Sequence, residues 1–118
     1  MNRFDRGMII DVNLDPLEGS ETGKIRPAII VTNNIYNRRL PVLQVVPVTA
    51  WSRKKALIRT NVELNPNEIN NLSKRSIADC LQTRPIDHRR RLKGIRGRVS
   101  AETLERIDQS LRTVFGLR

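Results

Sequence analysis

The sequence predicts a mainly β protein, a small barrel followed by a C-terminal α-helix. Short β-branched runs separated by turn residues recur through most of the chain, and the apolar residues near the C-terminus change to a helical spacing. Five or six short strands in 118 residues indicate a strongly bent sheet or barrel. We expect one domain over residues 1–118, with the aliphatic core that 38% apolar residues and few aromatics indicate.

The strands are predicted where apolar, β-branched segments lie between turn residues. These segments are residues 8–14, 27–32, 42–49, 60–64, 76–81 and 92–99. Pro47 falls inside the third segment. Because proline cannot donate a ladder hydrogen bond, we expect that strand at a sheet edge or at a bulge.

The last element is predicted to be an amphipathic helix that packs on the barrel. Ser100 is a good N-cap and Glu102 falls in the first turn, where a negative charge is favourable. One helical face is apolar and consists of Leu104, Ile107, Leu111, Val114 and Phe115.

The formal net charge of +10 is concentrated in the middle of the chain. Residues 1–23 are acidic on balance, and residues 24–98 carry the basic excess. A folded, strongly cationic surface indicates a polyanionic partner, most commonly nucleic acid. The alternative is a charge that serves solubility alone.

Compartment and cofactor use are predicted from what the composition lacks. No apolar stretch approaches the about 20 residues that span a bilayer, and the N-terminal residues do not resemble a signal peptide. Cys80 is the single cysteine and is expected to be a buried, inert thiol, which fits a cytoplasmic protein. With His88 as the single histidine and no clustered carboxylates, we expect no metal and no other cofactor.

The most informative segment is the loop of residues 19–27, Gly-Ser-Glu-Thr-Gly-Lys-Ile-Arg-Pro, which leads into a buried strand. If the polyanionic partner is RNA, its metal-free cleavage by the ribose 2′-hydroxyl needs a fixed cation near the phosphate and a hydrogen-bonding side chain that orients it. Arg26 and Thr49 fit these two roles. The pattern alone also allows Arg26 to pair with Glu21, and Thr49 simply to end a strand.

A family resemblance follows from motifs that occur in a consistent order. These are Arg6-Gly7, the loop of residues 19–27, Val46-Pro47-Val48-Thr49, Gln82-Thr83-Arg84-Pro85-Ile86-Asp87 and the C-terminal helix. Together they resemble the MazF/PemK/Kid family of toxin endoribonucleases. The resemblance implies an SH3-like, PemK-like barrel that works as a homodimer with an RNA groove along the dimer. Strand periodicity by itself would equally allow an OB-like barrel.

The resemblance also implies an activity and a set of site residues. The expected reaction is metal-independent, sequence-selective cleavage of single-stranded RNA to a 2′,3′-cyclic phosphate and a 5′-hydroxyl. The chain would be the toxin of a type II toxin-antitoxin pair, inhibited by an acidic, MazE-like antitoxin. Arg26 and Thr49 match the family's active-site arginine and threonine. Glu21, as the acid close to Arg26 in the sequence, is a candidate to orient the 2′-hydroxyl or to read a base.

Further residues are predicted to bind RNA. Gly19 and Ser20 permit close approach of the backbone, and Asn34 and Gln82 suit base edges. Phosphate contacts are expected from the basic residues Arg53, Lys54, Lys55 and Arg84, and Trp51 is either a stacking platform or a core or dimer residue.

One departure from the family pattern bears on the mechanism. Some members have an Arg-x-Asp pair before the glutamine that matches Gln82, whereas this chain has Asp79 and Leu81 there. We therefore expect Arg26 and Thr49 to carry the chemistry. Two alternatives remain open: a noncatalytic nucleic-acid-binding barrel, and a gyrase poison of the CcdB type.

Overall fold

The computed structural model describes residues 3–14 and 24–118. The predicted site residues Gly19, Ser20 and Glu21 lie outside the described residues. The strands are β1 (Met8–Asn13), β2 (Ile25–Ile30), β3 (Val42–Ala50), β4 (Asn61–Leu64), β5 (Ser76–Asp79), β6 (Arg84–Asp87) and β7 (Leu92–Arg98). The helices are α1 (Asn34–Asn37), α2 (Arg53–Ala56), α3 (His88–Arg91) and α4 (Ala101–Phe115), with a 3₁₀ turn at Cys80–Gln82.

The described strands form one antiparallel sheet in the order β4-β5-β3-β2-β1-β7, and β6 also pairs with β3. The predicted mainly β fold with a C-terminal helix is confirmed. Neighbouring residues on the central strands enter different cores: Ile9 and Ile29 pack with α4 in one cluster, and Ile10 and Ile30 lie in the other. Because successive side chains point to opposite faces, a sheet buried on both faces requires the near-continuous apolar runs seen in the sequence.

The predicted placement of the Pro47 strand at a sheet edge or at a bulge is wrong, because β3 is central and pairs with β2 in one unbroken register over residues 45–47. On one side it pairs with β2, where Pro47 lies opposite Ala28. On the other side it pairs with β6 through residues 42–45 and with β5 through residues 48–50. Pro47 thus lies in the gap where β3 exchanges one partner for another, so its missing N–H costs no ladder bond there.

Several predicted boundaries shift by a few residues. Strand β2 begins at Ile25, where it pairs with Asn13 of β1, and β5 ends at Asp79 because the chain turns into the 3₁₀ segment. Strand β6 was not predicted. It is a short strand that contains Pro85 and pairs with the beginning of β3.

Helix α4 begins as predicted and ends at a left-handed glycine. The Ser100 Oγ accepts a hydrogen bond from the Thr103 N–H at 3.1 Å, and Gly116 has φ of +68°. The predicted apolar face packs on the core through Leu104, Ile107, Leu111 and Val114. Phe115 is an exception, because it lies at the end of the helix and is 59% exposed.

Arg6 fastens this helix to the sheet. Its Nε donates to the Val31 carbonyl at 3.0 Å, and its Nη1 and Nη2 donate to the two carboxylate oxygens of Asp108 on α4. A planar guanidinium suits this double contact. The Arg6-Gly7 motif therefore has a structural role at the junction of sheet and helix.

Gly97 on β7 marks a close approach between the sheet and the chain near Ile69. A methyl group built on Gly97 would lie 2.3 Å from the Ile69 carbonyl oxygen, which accepts a hydrogen bond from the Arg98 N–H at 2.9 Å. The contact is with rigid backbone, so a side chain at this position forces the two segments apart.

We predict that Gly97→Ala lowers the free energy of unfolding by about 1–3 kcal/mol through this overpacking. Gly94→Ala is the matched control on the same strand, because a methyl group there meets nothing within 4 Å. Urea unfolding of both variants measures the difference. Equal stability of the two variants would contradict the close packing at Gly97.

Candidate active site

Arg26 and Thr49 meet where β2 and β3 separate. The register that pairs Ala28 with Pro47 would, if it continued, place Arg26 opposite Thr49. Instead the β2–β3 pairing ends at Ala28 and Pro47. On their other edges, Arg26 pairs with Val12 of β1 and Thr49 pairs with Ile77 of β5. The two strands diverge at this point, and both side chains line the resulting cleft of about 490 Å³.

The cleft is strongly cationic. Among the described residues that line it, none is acidic, and the basic ones are Lys24, Arg26, Lys55, Lys74 and Arg96. The Arg96 Nε donates to the Asp11 carboxylate at 2.8 Å, which fixes that guanidinium. Clustered cations in a concave site attract and hold an anion such as a phosphate.

Helix α2 places the side chain of Lys55 in contact with Thr49. The Lys55 Nζ donates to the Thr49 Oγ1 at 3.2 Å and to the Ala50 carbonyl at 3.3 Å. The Ser52 Oγ caps the helix by accepting from the Lys55 N–H at 3.2 Å, and the Asn61 side chain donates to the Lys55 carbonyl at 2.9 Å. Both the backbone and the side chain of Lys55 are therefore held in place.

The other basic residues of α2 are placed differently. Arg53 and Lys54 are exposed and are not among the residues that line the cleft. Trp51 is half-buried, and the Arg75 guanidinium lies 4.0 Å from the ring centroid. Arg75 also pairs with the Glu63 carboxylate. One face of the indole is thus covered by a cation–π contact within the protein.

Three further predicted residues lie outside the cleft lining. Gln82 is exposed in the 3₁₀ turn. The Arg84 Nη1 donates to the Leu14 carbonyl at 3.2 Å. The Asn34 Oδ1 accepts from the Arg6 N–H at 2.7 Å and from the Asn37 side chain at 3.1 Å, so this amide supports the local fold.

Comparison with known proteins identifies the family. The model of the PemK-like, MazF-like toxins of type II toxin-antitoxin systems matches residues 5–115 of this chain. The chain belongs to the PemK/MazF toxin family. It is 30% identical over 112 residues to Endoribonuclease EndoA of Bacillus subtilis, and the match covers 95% of this chain and 94% of that protein.

Solved structures share the PemK/MazF fold. MazF from Deinococcus radiodurans aligns with a TM-score of 0.77 at 24% identity, covering 99% of this chain and 100% of that chain. An endoribonuclease from a mycobacterial species, solved in complex with its cognate antitoxin, aligns with a TM-score of 0.76 at 23% identity. That match covers 100% of this chain and 98% of the mycobacterial chain.

Sequence reasoning about this PemK/MazF chain missed part of the cleft. Lys74 precedes β5 and no local pattern marks it. Arg96 is reached through a β-bulge: Ile9 pairs with Gly97 and Ile10 pairs with Ile95, so Arg96 is the extra residue on β7. Bulges redirect a side chain, and their position depends on the partner strand.

Cys80 and His88 both lie at least partly inside the fold. Cys80 is buried as predicted, and burial raises the pKa of its thiol. His88 is half-buried, and its ring centroid lies 4.6 Å from that of Phe4.

Among residues 3–14 and 24–118, no three His, Cys, Asp or Glu side chains converge as metal ligands would. None of the helices in that part of the chain combines the length and apolar character needed to cross a membrane.

Proposed function

We propose that this chain is a metal-independent, sequence-selective endoribonuclease that acts on single-stranded RNA as the toxin of its pair. The observation that carries the proposal is the meeting of Arg26 and Thr49 at a cationic cleft in a member of the PemK/MazF family. Its similarity to Endoribonuclease EndoA supports the same activity.

In the proposed reaction, the ribose 2′-oxygen attacks the adjacent phosphorus while the bond from phosphorus to the 5′-oxygen breaks. The 2′-hydroxyl loses its proton to a base, and the departing 5′-oxygen gains one, which leaves a 2′,3′-cyclic phosphate and a 5′-hydroxyl. A guanidinium is a poor base, so Arg26 does not take the proton. Its role is to bind the phosphate and to stabilise the charge of the pentavalent state. The Thr49 hydroxyl donates to a non-bridging oxygen, and Glu21 orients the 2′-hydroxyl.

The substrate extends beyond the cleft in this proposal. Contacts with the flanking nucleotides come from the exposed side chains of Arg53, Lys54 and Gln82. Further contacts come from Arg84, Asn34, Trp51 and the backbone at Gly19 and Ser20.

The chain acts as one domain, residues 1–118, and two copies form a homodimer whose groove holds the RNA. Electrostatic attraction supplies affinity, and base-edge contacts supply sequence preference.

We predict that Arg26→Ala lowers the cleavage rate by about a hundredfold to a thousandfold, because a donor aimed at the transition-state charge is lost. The variant should keep the wild-type thermal unfolding temperature, since Arg26 is exposed. Arg112→Ala, which removes an exposed arginine from α4, is the matched control. Near wild-type cleavage by purified Arg26→Ala would reject the assignment.

Cleavage should persist in excess EDTA and should be abolished when the nucleotide before the scissile bond carries a 2′-deoxy sugar. The first expectation follows from the basic and hydroxyl side chains that line the described part of the cleft, and the second from a nucleophile that belongs to the substrate. A long natural RNA with mapped 5′ ends provides the scissile position. Loss of activity in EDTA with recovery in magnesium would overturn the mechanism, and cutting of the deoxy substrate would exclude the 2′-oxygen as nucleophile.

We further propose that an acidic antitoxin segment occupies the same cationic groove as RNA. Solved relatives include an endoribonuclease in complex with its cognate antitoxin and MazE–MazF complexes from Deinococcus radiodurans. An extended acidic peptide suits a surface rich in lysine and arginine, and it orders on binding.

Uncleavable 2′-deoxy RNA and the acidic partner protein should therefore compete for the toxin. Both affinities should fall as salt increases, because each ligand neutralises several basic side chains. Charge reversal at Lys54 should weaken both ligands together. The measurement is a competition titration at two salt concentrations. Tight antitoxin binding that leaves RNA bound would require a separate inhibitory site.

A further inference from the structure

Lys55 differs from Arg53 and Lys54, its neighbours on α2, because its ammonium group makes hydrogen bonds to the end of β3. Two of its three N–H donors are used within the protein, one on the Thr49 Oγ1 at 3.2 Å and one on the Ala50 carbonyl at 3.3 Å. Both acceptors belong to the end of β3. The ammonium group is therefore aimed at the residue that the proposed function makes a phosphate ligand.

Hydrogen bonds from both sides also restrain the backbone of Lys55 on α2. One turn of helix lies between Ser52, whose hydroxyl caps the Lys55 N–H, and Asn61 of β4, whose amide binds the Lys55 carbonyl. These contacts fix the Lys55 backbone from both sides. Arg53 and Lys54 lie on the same capped turn, but they are exposed and do not line the cleft, so the contact with Thr49 distinguishes Lys55 from both.

We propose that Lys55 is a positioning residue that sets the direction of the Thr49 hydroxyl. A hydroxyl oxygen that accepts from an ammonium group keeps its own O–H free to donate elsewhere. With Lys55 on one side of Oγ1, the Thr49 proton is directed into the cleft, where the phosphate oxygen binds. The ammonium charge also polarises the O–H and makes it a stronger donor.

This inference rests on the proposed function for the identity of the ligand, but the coupling between the two side chains can be measured separately. Lys55→Met removes the donor and the charge and keeps a long aliphatic chain. A double-mutant cycle combines it with Thr49→Ala. Single-turnover cleavage at saturating RNA gives the rate constant, and titration with the uncleavable 2′-deoxy RNA gives the affinity.

Lys55→Met should lower the saturated rate constant by about tenfold to a hundredfold in the wild-type background. In the Thr49→Ala background it should change that rate constant by less than about twofold, because the hydroxyl it positions is gone. Lys54→Met removes the same charge from an exposed neighbour. It should act mainly on affinity, and its effect should be the same with or without Thr49.

Additive effects of Lys55→Met and Thr49→Ala on both the rate constant and the affinity would overturn the positioning role and leave Lys55 as a general phosphate contact. If the wild-type protein cleaves no RNA, the proposed function fails, and the affinity cycle alone decides the role of Lys55. Thermal unfolding of each variant verifies folding. If Lys55→Met does not fold, the cycle is repeated with Lys55→Arg, which keeps a charged donor but displaces it from Oγ1.

Discussion

The exchange of partners along β3 is the constraint on which the rest of this structure depends. The strand pairs with β6, then passes Pro47, then pairs with β5, while β2 accompanies it only through residues 45–47. A proline at the point of exchange leaves no unpaired N–H on the side where neither β6 nor β5 is paired. Because β2 and β3 part beyond this point, a cleft opens with Arg26 on one wall and Thr49 on the other.

The shape and charge of the cleft follow from strand pairing, a β-bulge and a capped turn of helix. The separation of β2 and β3 beyond Ala28 and Pro47 leaves Arg26 and Thr49 lining one cleft. A bulge on β7 directs Arg96 to the cleft, and a capped turn places Lys55 on Thr49. The result is a concave site with a high density of positive charge, in which Asp11 fixes Arg96 and the contact with Thr49 directs Lys55. Such preorganised charge is what the transfer of a phosphoryl group from one oxygen to another requires, because no reorganisation is needed as negative charge develops.

Much of the fold could be predicted because the apolar residues of both cores follow strand or helix periodicity, which can be recognised from neighbouring residues. Strand β1 and helix α4 were found from apolar runs and from the Ser100 cap, which are properties of neighbouring residues. The central position of β3 could not be found this way. Pro47 indicates an edge when read alone, and the gap that accommodates it exists only once β5 and β6 have both docked.

The sequence by itself determined the mainly β class, the C-terminal helix, the cationic middle of the chain and the motif residues Arg26 and Thr49. These features depend on residue type and on the spacing of residues that are close in the sequence, so they can be recognised without the fold. Only the tertiary structure decided that Lys55 contacts Thr49, that Arg75 covers Trp51 and that Asn34 holds Arg6. Such contacts are fixed by register, bulges and short helices, whose geometry depends on partners distant in the sequence.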